Sequence, residues 1–196
     1  MRKLIRKVLK KTFVIISRFF LSLFYSKEYF KGRWFDESIA GWFWAWKNLW
    51  PQKIIGYNRK IPWPVIPSSI VSDPKRIKFH PDDLNIFQRP GCYYQSSYGT
   101  IYIGKGTTIA PNVGIVTGNH DPEDISKHLP GKDVIIGEKC WIGMNAVILP
   151  DVILGPKTIV GAGSVVTKSF PEGHCIIAGN PAKIIRHLDK HKKLNA

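Results

Sequence analysis

Residues 134–170 read VIIGEKCWIGMNAVILPDVILGPKTIVGAGSVVTKSF. Along this stretch an apolar residue returns at every sixth position: Ile136, Ile142, Ile148, Leu154, Val160 and Val166. An upstream segment keeps the same beat at Ile103, Ile109 and Ile115. A helix repeats every ~3.6 residues and a strand every ~2, so neither yields a period of six. A hexapeptide period is the mark of a parallel β-helix, in which each unit forms one flat face of a coil. The apolar residue should point inward and stack on its equivalents in neighbouring coils. Glycine follows it at Gly104, Gly137, Gly143, Gly155 and Gly161, where the chain is expected to turn a corner with an unusual φ. Four residues after each apolar position comes a second inward set: Thr107, Val113, Cys140, Ala146, Val152, Thr158 and Ser164. These side chains are small or β-branched and suit a narrow interior.

Working outward, the interval from Ile115 to Ile136 is 21 residues, which is not a multiple of six. Residues 121–132 are therefore expected to leave the coil as a loop. Residues 68–100 should form the less regular first coils. The segment IPWPVIP at 61–67 holds three prolines and excludes regular helix, which puts a boundary there. The expected organisation is an N-terminal extension over 1–66, a β-helix over 67–180 and a short basic helix over 181–196, opened by Pro181.

The net charge of +15 calls for an anionic partner, and its distribution decides which kind. Residues 1–33 contribute +9 and residues 183–193 contribute +4, leaving the body at +2. A nucleic-acid binder would carry a basic stripe on its folded body, so nucleic acid is not expected. Residues 2–24 instead read as an amphipathic helix. Leu4, Ile5, Val8, Leu9, Ile15, Ile16, Phe19 and Leu23 share one side, and Arg2, Lys3, Arg6, Lys7, Lys10, Lys11 and Arg18 take the other. The apolar run is shorter than the ~20 residues a spanning helix needs. No A-x-A-like cleavage site follows it, which counts against a signal peptide. An in-plane helix on an anionic membrane surface, at the cytoplasmic leaflet, fits best. Packing on the protein's own body or on a partner is the competing reading. Of the 24 aromatic residues, 14 fall in the first 50, a density that suits either a membrane interface or a buried cluster. Three cysteines without a CxxC argue for a reducing compartment and against a disulfide framework.

The string CWIGMNAVILPDVILGPKTIVGAGSVVTKSFPEGHCIIAGNPAKIIR, residues 140–186, resembles the end of the hexapeptide-repeat acyltransferases. These include galactoside, maltose, serine and xenobiotic O-acetyltransferases and those of surface-polysaccharide pathways. WIG, GAGSVVTK and GNPAK at these spacings are specific in combination, and the resemblance covers about residues 90–186. It implies a left-handed parallel β-helix, an all-β class apart from the terminal helices, and a homotrimer with acetyl-CoA in a groove between subunits.

His120, in TGNHD before the loop, matches the family's catalytic histidine. Its chemistry is suitable on general grounds. Transfer of acetyl from a thioester to a hydroxyl needs a base near neutral pH, and an unperturbed imidazole titrates at about 6.5. The resemblance assigns acetyl-CoA contacts to Trp141, Met144, Ala162, Thr167, Lys168, Lys183 and Arg186. Met144 stands where relatives often have a small polar residue, and Lys183 replaces a common arginine, keeping charge but losing the bidentate fork. For the acceptor, Gln95 in GCYYQS offers an amide to a sugar hydroxyl, and Asn119 and Asp121 flank the base. Asp121 could orient the imidazole or bind acceptor, although NHDP also reads as a plain turn, while His128 could touch acceptor or simply be solvated. Some hexapeptide β-helices are zinc enzymes that need three convergent histidines, but His120 and His128 lie eight apart on an irregular loop, a separation that gives no simple shared face, so no metal is expected.

The expected activity is acetyl-CoA-dependent O-acetylation of a sugar hydroxyl in surface or exopolysaccharide synthesis, by an enzyme peripheral to the cytoplasmic membrane face. Two rivals stay open: a small soluble acceptor such as a free sugar, serine or an antibiotic, and a non-catalytic scaffold docked on a membrane enzyme.

Overall fold

The computed structural model describes residues 1–189, which divide into two compact units, Met1–Pro67 and a second that begins at Ser68. In the first unit, helix α1 (Arg2–Leu21) and helix α2 (Ala40–Leu49) pack through aromatic rings. Phe13 stacks on Phe43 with centroids 5.3 Å apart, and Phe20 stacks on Trp46 at 5.2 Å. The Trp46 indole donates to the Ser17 hydroxyl (2.8 Å), so a buried polar pair sits within this contact. Gly41 on α2 is needed there, because a Cβ would lie 2.7 Å from the Phe35 ring. Buried Gln52 closes the unit. Its side-chain oxygen accepts from Tyr25 Oη and Val65 N, and its amide donates to the Ile61 and Trp63 carbonyls, so no polar atom of that amide is wasted.

Two apolar stripes run along α1, and only one is covered. Leu21 is buried, and Phe13 and Val14 are partly covered. The residues the helical wheel placed together, from Leu4 to Leu23, stay exposed, with Phe19 77 % exposed. The tryptophan-rich segment likewise divides: Trp42 is buried against Phe30 and Phe35, whereas Trp50 is exposed. No helix among the described residues is long and apolar enough to cross a membrane.

The second unit is the coil. Its first face joins strands Ile70–Val71, Tyr93–Gln95, Gly114–Val116, Val147–Ile148 and Val165–Val166. The second stacks Ile77–Lys78, Ile101–Ile103, Val134–Ile136 and Ile153–Leu154. The third stacks Thr108–Ile109, Trp141–Ile142, Ile159–Val160 and Cys175–Gly179. All these pairings are parallel, as a β-helix requires. Ile136 pairs with Leu154, 18 positions on, whereas Ile103 pairs with Ile136, 33 positions on. One turn is thus three hexapeptides, and the extra 15 residues are the extruded loop.

Every expected inward residue is buried, from Ile103 to Val166 and from Thr107 to Ser164. The polar members are satisfied locally: Thr107 Oγ1 donates to the Gly137 carbonyl and Thr158 Oγ1 to the Gly155 carbonyl, both at 2.7 Å. The glycine reading needs correction. None of the five corner glycines has a positive φ. They are glycine because the next coil presses on them: a Cβ on Gly143 would meet the Val160 carbonyl oxygen at 2.6 Å. The left-handed conformation falls instead three residues after the apolar position, at Gly106, Asn112, Lys139, Asn145, Asp151, Lys157 and Gly163. It too repeats every six.

Over the described residues the expected C-terminal helix does not form. After Gly179 (φ 106°) and the cis Asn180–Pro181 bond, residues Ala182–His187 form a strand antiparallel to Cys175–Gly179. The last coil offers an open sheet edge, and the β-branched pair Ile184–Ile185 fits an extended chain better than a helix. Residues 190–196 of that expected helix lie outside the described residues. The coil is thus built of β-strands with short 3-10 stretches at Pro74–Arg76 and Pro81–Gln88, while the described α-helices belong to the first unit.

Candidate active site

His120 sits where the coil opens into its loop. Strand Gly114–Val116 leads into it, and the chain returns at strand Val134–Ile136. The loop is a narrow hairpin in which His120 and His128 face each other as an antiparallel bridge pair. Asp121 N donates to the Lys127 carbonyl, and Leu129 N to the Asn119 carbonyl, each at 3.0 Å. At the tip, Ser126 donates to Asp124 through both its hydroxyl and its N–H. Those bonds, with Lys127 beside them, hold the Asp124 carboxyl below its ordinary range.

The imidazole of His120 lies 2.7 Å through Nδ1 from the Ile125 carbonyl oxygen. A carbonyl only accepts, so Nδ1 carries the hydrogen and the neutral ring keeps its lone pair on Nε2. The side chain is exposed, and a hydroxyl in solution can reach it. This corrects the expectation for Asp121 as an orienting group. Its carboxylate accepts from Glu123 N (2.9 Å) and caps the turn, while a backbone carbonyl orients the imidazole.

Gln95 is partly buried at the base of the loop. Its side-chain oxygen accepts from Thr117 N at 2.8 Å, and Thr117 Oγ1 donates to the Gln95 carbonyl at 2.7 Å. One end of this amide is thereby committed to the loop's neck, and its NH₂ end is the part left to meet a ligand. Asn119 is exposed next to the base. Sequence reasoning missed Tyr98, whose ring stacks on His128 at 4.6 Å and 19°; His128 in turn lies 4.1 Å from the His120 ring. Gly118 and Gly131, one on each arm of the neck, were the available signal. A Cβ on Gly118 would come within 2.5 Å of the Tyr98 ring, and one on Gly131 would collide with the Tyr98 carbonyl.

The seven residues expected to meet acetyl-CoA fall on two corners and one face of the coil. Met144 and Ala162 occupy one corner in neighbouring coils, tied by a bond from Gly163 N to the Met144 carbonyl (2.8 Å). Lys183 joins them, since it pairs with Ala178, whose Cβ lies over Gly161. Exposed Trp141 pairs with Ile159, which pairs with Ile176 and so with Arg186, placing Trp141 and Arg186 on one sheet. Thr167 and Lys168 stand at the other corner, the one that bears the His120 loop two coils away. A single chain thus brings Met144, Ala162 and Lys183 together but does not gather all seven. Arg186 lines a separate hollow of about 670 Å³ with Lys139, Lys157, His174 and His187 around Ile159. Lys139, Lys157 and His174 all have positive φ and come from successive coils. The six-residue period could have flagged the two lysines.

Burial pushes the thiols of Cys92, Cys140 and Cys175 up, away from the reactive thiolate, which leaves them as core residues. Among the described residues no three His, Cys, Asp or Glu side chains converge as a metal site.

Residues 133–168 match the family model described as bacterial transferase hexapeptide (six repeats). The chain is 39% identical over 98 residues to the galactoside O-acetyltransferase of Escherichia coli (strain K12), covering 47% of this chain and 48% of that protein. It is 38% identical over 112 residues to WbbJ of the same organism, provisionally named a lipopolysaccharide biosynthesis O-acetyl transferase, covering 50% and 56%. A crystal structure of a maltose O-acetyltransferase from Clostridium difficile 630 is similar over 50% of this chain and 54% of that one, with 35% identity and a TM-score of 0.47. The chain spans about half the length of the curated relatives it matches.

Proposed function

We propose, for a chain that carries the hexapeptide repeat of the bacterial transferases, that the protein is an acetyl-CoA-dependent O-acetyltransferase acting on a sugar hydroxyl. The observation that carries this reading is the His120 imidazole, exposed at the mouth of the loop with its hydrogen held on Nδ1 by Ile125. Nε2 is then free to take the proton of an acceptor hydroxyl during attack and to return it to the departing thiolate. Acetyl-CoA supplies the activated acyl group. The corner at Met144 and Ala162 fits its extended arm, since beside it a Cβ on Gly163 would meet nothing within 4 Å. Lys183, and Arg186 with Lys139 and Lys157, suit its anionic phosphate end. Trp141 would wall the channel, and Thr167 and Lys168 would meet the cofactor bound against a neighbouring subunit in a homotrimer of left-handed coils. That assembly would unite the two corners one chain keeps apart. Gln95, Asn119 and Asp121 line the acceptor side through the Gln95 amide NH₂ and the loop's polar edge. An acceptor in surface-polysaccharide synthesis agrees with the likeness to WbbJ.

The test is turnover of purified protein with acetyl-CoA against a panel of free, lipid-linked and nucleotide-linked sugars. His120→Ala should lower kcat at least ~100-fold with little change in acetyl-CoA affinity, the loss expected for a general base. Near wild-type turnover by that variant removes His120 from the role. Light scattering should give three copies, and an active monomer would remove the shared groove.

We further read the first unit as a membrane-surface module. The uncovered stripe of α1 (Leu4, Ile5, Val8, Leu9, Ile15, Ile16 and Phe19), continued by Leu23, together with Lys3, Arg6, Lys7, Lys10 and Lys11, has the two faces an anionic bilayer surface binds.

A further inference from the structure

The loop that carries His120 is exposed, yet its base must aim one nitrogen at a hydroxyl. The Ile125 bond fixes Nδ1 but leaves the ring free to tilt about that contact, because Ile125 (79 % exposed) belongs to the same hairpin. A second restraint comes from outside the hairpin. Tyr98 precedes strand Ile101–Ile103 in the coil, and its ring packs on the backbone at Gly118 so closely that no Cβ fits there. Gly99 N donates to Thr117 Oγ1 at 3.0 Å, and Thr117 is the residue Gln95 grips, so Tyr98 is tied to the rigid part of the unit. From this anchor the rings form a column: Tyr98 on His128, nearly parallel, and His128 on His120.

We propose that Tyr98 and His128 are positioning residues for His120, holding its imidazole at one tilt by ring-on-ring packing. The inference rests on the reading of His120 as the base. The His128 ring meets the His120 ring at 39°, so it buttresses one face of the imidazole and blocks its tilting toward that side. A misplacement of about 1 Å can cost about 100-fold in rate, which sets the size of effect such a restraint can have. Nothing in this role needs the His128 nitrogens or the Tyr98 hydroxyl to react. It needs flat rings, and this separates positioning from chemistry.

The experiment uses the full chain labelled with ¹⁵N-histidine, and turnover of acetyl-CoA with the best acceptor of the sugar panel. In the wild type the His120 ring should be a single Nδ1–H tautomer. His128→Ala should keep that tautomer but broaden the His120 ring resonances as the imidazole samples several tilts, and lower kcat by about 10- to 100-fold, with KM for acetyl-CoA within about twofold. His128→Phe and Tyr98→Phe, which keep the rings, should retain most of the rate and the sharp resonances. His120→Ala/His128→Ala should be no slower than His120→Ala alone. A wild-type rate in His128→Ala, or a lowered rate with unchanged His120 ring resonances, overturns the proposal. So does a His128→Phe variant as slow as His128→Ala, because His128 would then act through its nitrogens. Failure of the base reading looks different: His120→Ala itself would stay active while the imidazole spectra still respond to His128. Tyr98→Ala should slow turnover as His128→Ala does; if it does not fold, the His128 pair decides alone.

Discussion

Ile142 and Ile15 are the same side chain in opposite circumstances. Ile142 is fully buried in the coil, in register with Ile109 below and Val160 above. Ile15 is 59 % exposed on α1, among seven other large apolar residues that are also left uncovered. Burying such a side chain is worth about 1.5–3 kcal/mol. The coil gains this at each inward position, and the helix stripe forgoes it. A residue's apolar character therefore says only that it gains by leaving water; where it goes depends on whether the repeat supplies the next layer. Within the coil, each hexapeptide supplies the surface the previous one needs. On α1, ring contacts with α2 cover one stripe and leave the other open.

This contrast can be broken at several strengths. The largest effect is expected from Gly143→Val, which would force a side chain into the next coil's Val160 carbonyl. We expect loss of the folded coil, visible as aggregation and rapid proteolysis, whereas Gly163→Ala at the open corner should fold and lose only about 1–2 kcal/mol for its left-handed φ. Next, Ile142→Ala should lower unfolding free energy by about 2–5 kcal/mol in urea titrations, and Ile15→Ala should stay within about 0.5 kcal/mol. Equal losses at the two sites would mean that the α1 stripe is covered in solution.

A third expectation concerns the use of that stripe. The full chain should float with anionic liposomes, and binding should weaken at high salt, since each basic residue near such a surface contributes about 1 kcal/mol. Phe19→Ser and Leu23→Ser, which remove apolar area without changing charge, should weaken it at low and high salt alike. A chain that ignores these vesicles but loses solubility when residues 1–24 are removed would instead be using the stripe to pack. The smallest effect lies at the loop tip. Asp124 has a depressed pKa in the fold, so its contribution is present above the unfolded value and is lost as pH falls through the folded one. Amide exchange at Ser126, corrected for its intrinsic rate, should accelerate as pH falls below the ordinary carboxylate range. Asp124→Ala should accelerate it already at neutral pH.

The six-residue period was sufficient for the coil, its two inward sets and the extruded loop, because stacking equivalent residues requires equivalent spacing along the chain. It also placed His120 at the loop's mouth. The amphipathic helix was legible from its period, but which stripe would be covered was not, since that depends on ring contacts with α2 from Phe13, Ser17 and Phe20. The corner glycines show the same division: their spacing is visible in the sequence, while the reason for them, another coil's backbone within a Cβ radius, exists only in the folded chain. The final strand was misread because an open sheet edge recruits Ala182–His187, and no local propensity announces an edge. Around His120, residue types left Asp121 open between orienting the imidazole, binding acceptor and closing a plain turn. The fold chose the Ile125 carbonyl and the Tyr98–His128 column instead, because hydrogen bonds and ring contacts follow distances in space, and those are set only when the hairpin closes.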